Sequence, residues 1–172
     1  MSLVADSDDL SQAMSAYEPA YQESFADHTL ALLGLQRASE LRDDLLFLQE
    51  YYAWMTHSGS HWPQTFFDWF GGAASSDRAS MSPQSDLYKT DEFQKVRALI
   101  EARTPARPER LNHAYFQAER PVDLIVETVE ALWDPIAADD NWAPLQAHLD
   151  WIEQARVAYD WPDVAVPIQR NT

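Results

Sequence analysis

The chain has 172 residues, 46% of them hydrophobic and 12% aromatic with seven Trp, enough to bury a core and to exclude disorder over most of its length. A net charge of −16 with only two Lys excludes the clustered cations that nucleic acid or an anionic membrane would need. The absence of Cys removes disulfides, thiolate metal sites and cysteine nucleophiles.

The first element is a long helix. Leu10, Met14, Tyr17, Tyr21, Phe25, His28 and Leu32 recur at steps of three and four, after Asp8 and Asp9 and before Gly34. Pro19 predicts a kink or a break into two shorter helices, because proline has no donor for the helical ladder. A second helix is expected from Ser39 as N-cap to about His57, burying Leu41, Leu45, Leu48, Tyr52 and Met55, with Gly59 ending the region. The run Trp62 to Phe70 reads as a short helix with Pro63 in its first turn and rings on nearly every side. It belongs to a core or forms an interface, and Trp62, Phe66, Phe67, Trp69 and Phe70 are the candidate interaction surface.

Gly71 and Gly72 stop that helix, and the Ser-, Ala- and Gly-rich stretch to Asp86 predicts a flexible linker over 71–86 between an N-terminal helical half, 1–70, and a C-terminal helical half, 87–172, together one domain. Thr90 is placed to cap a helix with Asp91 and Glu92 in its first turn and Phe93, Val96, Leu99 and Ile100 on its apolar side, ending before Pro105. A helix around Leu111 and Tyr115 is expected next. One from Pro121 should follow, carrying Val122, Ile125, Val126, Val129 and Leu132 and ending at Pro135; the spacing and the interleaved Glu127 and Glu130 favour helix over strand. The last helix runs from about Pro144 with Leu145, Leu149, Ile152 and Tyr159 on one side, before an irregular tail beyond Trp161 and Pro162. The fold class is therefore all-α with six to seven helices, as an irregular bundle or two small helical subdomains.

No catalytic constellation can be assembled. His57 and His61 share a helical face only if the helix continues through Gly59, and no HExxH pattern is present, so no metal site is assigned. His28 on the first helix reads as a core or boundary residue, and His113 and His148 have no carboxylate or serine constellation beside them. The pairs Asp8-Asp9, Asp43-Asp44 and Asp139-Asp140 read as caps and solvated faces, since neighbours on a helix diverge by about 100°. Four Gly and no phosphate loop or nucleophile elbow leave no cofactor site. Lys95, Arg97, Arg103, Arg107 and Arg110 form the one basic concentration, read either as a patch for an acidic partner or as helix surface paired with Glu101 and Glu109. An acidic N-terminus without an apolar h-region, and no apolar run long enough for a membrane helix, point to the cytoplasm.

The order of segments adds a resemblance. Leu10 to Leu35, with Ala13, Tyr17, Tyr21 and the closing Leu32-Leu33-Gly34-Leu35, is similar to the stretch after the kinase core in selenoprotein O, the UPF0061 family of protein adenylyltransferases. The likeness continues through Asp44-Leu45-Leu46, the Met55 region, Thr65-Phe66-Phe67 (the family's Tyr-Thr-x-x-Phe-Arg), Arg120 to Ile125 (its Asn-Pro-x-x-x-Leu-Arg-Asn helix start) and Trp142 to Leu149 (its final helix). Arg120 stands for the family's Asn, Val126-Glu127 for its Arg-Asn, and its C-terminal cysteine or selenocysteine is missing. The resemblance implies a helical region attached to a pseudokinase-like core that transfers AMP to protein hydroxyls and holds the nucleotide, metal and catalytic residues. For this chain it implies a non-catalytic accessory or interaction domain whose protein partner is that core. A stand-alone acidic inhibitor or immunity-type partner of a basic protein is the alternative reading of the charge.

Overall fold

The computed structural model describes residues 7–161. Among them are seven α-helices: α1 (Ser7–Leu33), α2 (Leu41–Ser58), α3 (Trp62–Asp68), α4 (Ser76–Ser80), α5 (Asp91–Glu101), α6 (Val126–Asp139) and α7 (Ala143–Tyr159). Short 3-10 turns join them, and the described residues contain no strand beyond an isolated antiparallel bridge between Leu35 and Pro105. The expected all-α class is what is found. The chain divides into two compact units, Met1–Pro108 and Glu109–Thr172.

In the first unit the C-terminal half of α1 packs with α2 and α5. Ala26, Leu30 and Leu33 of α1 meet Phe47, Leu48, Tyr51 and Met55 of α2 and Phe93, Val96 and Ile100 of α5, all buried. Each of the Leu, Ile, Val, Phe and Met side chains among them contributes about 1.5–3 kcal/mol on leaving water. Gly34 ends α1 in the left-handed region at φ 61°, with the Leu35 N–H bonded back to the Leu30 carbonyl at 2.9 Å. The same corner ties three segments together, since Leu33 O accepts from Gly71 N and Gly34 O from Ala106 N, both at 2.8 Å. A Cβ at Gly34 would lie 2.8 Å from the Phe70 ring, so position and backbone angle both demand glycine.

Several sequence expectations need correction in this unit. α1 runs through Pro19 as one helix, giving up only the ladder bond to the Ser15 carbonyl. Its predicted apolar face is largely exposed at Leu10, Met14, Tyr17 and Tyr21, and His28 is exposed rather than at a core boundary. Glu40, not Ser39, precedes α2, without a side-chain capping bond. The α2 face rotates toward Phe47, Tyr51 and Trp54, leaving Leu41, Leu45 and Tyr52 half-buried. The 71–86 stretch, expected as a flexible linker, consists of a 3-10 turn, Gly72–Ser75, then α4 and further turns, with Ser75, Ala79 and Ser82 buried. α5 behaves as expected, its first turn capped by Thr90 Oγ1 accepting from Phe93 N at 3.3 Å.

The second unit is smaller in its core. Tyr115 and Phe116, on a 3-10 turn (Ala114–Gln117), pack edge to face with Tyr159 of α7 at 5.8 and 5.3 Å, and Tyr115 lies 5.0 Å from Trp151. Arg110 binds the end of α7, donating to the Val157 carbonyl at 2.7 Å and pairing with Asp160 at 3.0 Å, where the chain leaves the helix at φ 59°. The expected helix around Leu111 and Tyr115 is replaced by 3-10 turns. α6 starts at Val126 rather than Pro121. Val122 N donates to the Tyr115 hydroxyl at 3.1 Å and Asp123 accepts from Thr128 Oγ1 at 2.7 Å, which holds 121–125 extended. Nor does Pro135 end α6, which continues to Asp139 and closes through Asp140 at φ 52°. The tail beyond Pro162 lies outside the described residues.

Candidate interaction surface

The Trp62 to Phe70 run divides by depth. Phe67, Trp69 and Phe70 are buried core side chains rather than surface ones. Trp69 meets Phe93 and Tyr88 at 5.1 and 5.5 Å, which is what a helix aromatic on every side does when it sits inside a unit. Phe66 is half-buried, and Trp62 keeps 43% of its surface exposed. Both touch Tyr52, at 6.1 and 5.4 Å between ring centroids.

From Tyr52 the rings continue along α1. Phe25 lies 5.6 Å from Tyr52, Tyr21 6.1 Å from Phe25, and Tyr17 5.9 Å from Tyr21, the last two pairs stacked. Spacing of four residues on α1 produces this ladder, because positions i and i+4 lie one above the other. Tyr17 and Tyr21 are more than half exposed. The steps of three and four mark this face in the sequence without saying which part of it reaches water. The C-terminal half of α1 has α2 beside it; its first half leaves the same stripe open.

Beneath α3 lies a polar cluster. The fully buried Asp68 carboxylate accepts from Gln64 Nε2 at 2.8 Å, from the Tyr88 hydroxyl at 2.7 Å and from Ser82 Oγ. Gln84 Nε2 bonds both the Tyr88 hydroxyl at 2.6 Å and Thr65 Oγ1 at 2.8 Å. Burial pushes the Asp68 carboxyl above the usual range, against the bonds from Ser82, Tyr88 and Gln64 and the charge of Arg78. Burial, then the neighbouring Asp68, likewise raises the Tyr88 phenol. Arg78 caps the end of α3, donating to the carbonyls of Phe67 and Phe70 at 2.6 and 3.1 Å while its guanidinium lies 5.0 Å from the Phe67 ring centroid. This network ties the 71–86 stretch to α3; its bonds are tertiary and leave no periodicity in the sequence.

A second charged cluster ties α1, α2 and the end of α5. Asp44 is completely buried, in contrast to the cap or solvated face expected for the Asp43-Asp44 pair. It accepts from Ala38 N at 3.0 Å and pairs with Arg37 and Arg103. Arg37 also reaches Glu23 at 3.1 Å and Asp27, and Arg103 donates to the Asp43 carbonyl at 2.6 Å. Burial alone would raise the Asp44 carboxyl, but the Ala38 N–H and the two guanidiniums outweigh it and hold it below the ordinary range. Bonding to Asp44, then Asp27, raises Arg37 further.

The remaining candidates are scattered. Gly59, at φ 66°, ends α2 between His57 and His61, and no group of His, Asp and Glu suited to a metal ion occurs among the described residues. His113 accepts from Tyr115 N at 3.1 Å, a local capping role. The basic concentration disperses into pairs: Arg97 with Glu101 at 2.9 Å, Arg103 with Asp44, and Arg110 with Asp160. No helix among the described residues is long and apolar enough to cross a membrane.

The sequence model of the protein adenylyltransferase SelO family matches residues 1–153. The chain belongs to the SelO family. No curated protein and no solved structure matches it. The SelO match takes in the whole first unit and the second as far as Glu153. Within it, Leu32-Leu33-Gly34-Leu35 gains a physical meaning, being the corner that only glycine can turn beneath Phe70.

Proposed function

We propose that this chain is a non-catalytic accessory region of a SelO-type protein adenylyltransferase that docks a kinase-like core through the aromatic ladder from Tyr17 to Trp62. One observation carries the reading: a stacked, half-exposed aromatic stripe stands on a rigid unit of a chain that belongs to the SelO family. Aromatic side chains of this kind give large contact area at low entropic cost and are enriched at interface hot spots. Phosphoryl and nucleotidyl transfer need fixed cations, metal ions or backbone donors around a triphosphate. In this chain Arg37, Arg103, Arg97 and Arg110 are spent on internal ion pairs. A cytoplasmic setting accompanies this reading, as the sequence suggests.

The test uses the purified chain and a purified kinase-like core of the same family. Calorimetry with Mg-ATP and transfer of labelled AMP to a generic protein should be negative for the chain alone, and gel filtration should show a complex with the core. Micromolar Mg-ATP binding by the chain alone would overturn the non-catalytic part. A core that never binds would overturn the accessory part.

A further inference from the structure

α6 is an amphipathic helix whose apolar side faces water. It has no buried residue, yet Val126, Val129 and Trp133 stand on one line, at i, i+3 and i+7, with 68%, 49% and 59% of their surfaces exposed. The line spans about 10 Å at the helical rise. Leu124 and Ile125, 64% and 45% exposed, lead into it. In a unit whose buried hydrophobic residues, among the described ones, are Tyr115, Phe116, Ala155, Ala158 and Tyr159, this is a costly surface to leave wet.

A second row runs beside the first. Glu127, Glu130 and Asp134 are also spaced i, i+3 and i+7, and at about 100° per residue they fall along one edge of the apolar row. All three are exposed, no ion pair engages them among the described residues, and α6 carries four acids with no Lys or Arg. Two cations of the unit are committed elsewhere: Arg110 to Asp160 and the Val157 carbonyl, Arg156 to Glu153 at 2.6 Å and to the Trp161 carbonyl at 2.9 Å. An unneutralised acidic row along an apolar row is half of a complementary pair.

We infer that α6 docks a cationic amphipathic helix of a partner polypeptide, its apolar row seating on Val126, Val129 and Trp133 and its Lys or Arg row meeting Glu127, Glu130 and Asp134. Charge selects this occupant. A second copy would bring the same acidic row and another −16 charges to the contact, and an anionic lipid surface would be repelled. Helix-in-groove recognition supplies the geometry, read through anchors at i, i+3 and i+7. The inference rests on the interaction-domain reading above but concerns a different surface from the aromatic ladder.

The test titrates the full isotope-labelled chain with a synthetic Leu/Lys amphipathic peptide and with its Leu/Glu counterpart, following amide and indole shifts. The Lys peptide should shift Val126, Val129 and Trp133 selectively and weaken with salt; the Glu peptide should not bind. Glu127→Gln/Glu130→Gln/Asp134→Asn should weaken binding about tenfold, and Val129→Ser/Trp133→Ser by a similar factor, with unchanged melting temperatures because α6 buries none of these side chains. The inference is overturned if shifts spread over the whole acidic surface or if the serine variants bind as well as the parent. It is equally overturned if the shifts at α6 come from self-association or from lecithin vesicles instead of the peptide. Run against the kinase-like core, the same samples separate the two claims. A core that binds while the peptide fails sinks this inference alone, and a peptide that docks while the core fails sinks the accessory reading alone.

Discussion

The two compact units spend their hydrophobic residues differently. In the first, α2 and α5 bury Phe47, Tyr51, Trp54, Met55, Phe93 and Ile100 against α1, and the short α3 adds Gln64, Thr65, Phe67 and Asp68 to the buried set. In the second, α6 buries nothing completely while Trp133, Trp142 and Val126 remain more than half exposed. The first unit therefore closes a core and leaves apolar surface at the first half of α1, whereas in the second the exposed apolar area includes a whole side of α6. The lesson is that hydrophobic periodicity marks the face that needs a partner, and the partner is not always in the same unit.

The sharpest way to break this contrast is to remove one Trp from each unit. Trp69→Ala, which empties a site only 1% exposed between Phe93 and Tyr88, should cost about 3–5 kcal/mol. Trp133→Ala should change stability by less than about 0.5 kcal/mol. Thermal or urea unfolding monitored at the helical circular-dichroism band measures both, and equal losses would erase the distinction. Next in size, Gly34→Ala forces a Cβ against Phe70 in a left-handed turn and should cost about 2–4 kcal/mol, whereas Gly59→Ala, with φ 66° and open space around it, should cost about 1 kcal/mol.

Asp44→Asn leaves Arg37 and Arg103 without their buried counter-ion and should cost about 2–3 kcal/mol near neutral pH, part of the charge being relieved by solvent at Arg37. Its pH signature is definite. Because the folded carboxyl is held low, its contribution is present above the unfolded value and is lost as pH falls through the folded one, so the gap between parent and variant should close in acid. Asp68 has the opposite sign and the smallest effect. Its folded value is raised, so its contribution is present at low pH and is lost as pH rises through the folded value. Asp68→Asn should flatten that downward slope in urea-unfolding free energies measured across the mildly acidic range.

The sequence made the helical plan legible because α1, α2, α5 and α7 have strong periodicity and clear stops. Gly34 and Gly59 close helices as expected, and Thr90 caps α5. What it hid was tertiary. The 71–86 stretch is tied to α3 by Arg78 on the Phe67 and Phe70 carbonyls and by Ser82 on Asp68, contacts spanning 8 to 14 positions that leave no pattern in a Ser- and Ala-rich stretch. Asp44 looked like a solvated acid because its second cation, Arg103, lies 59 residues away. Pro19 offered a kink or a break and Pro135 a helix end, yet both helices continue through them. Of the candidate surface, the rings were legible as a group. Which of them reach water depends on how α1 and α2 sit around Tyr52.

Hydrogen exchange on the full chain, alone and with a SelO-type kinase-like core, tests the central claim most directly. The account predicts that amides of α2 and α5 are protected in both samples, and that residues 10–25 and 62–66 gain protection only when the core is present. Exchange along α1 and at Trp62 that is unchanged by a bound core would contradict the assignment of the aromatic ladder as the docking surface.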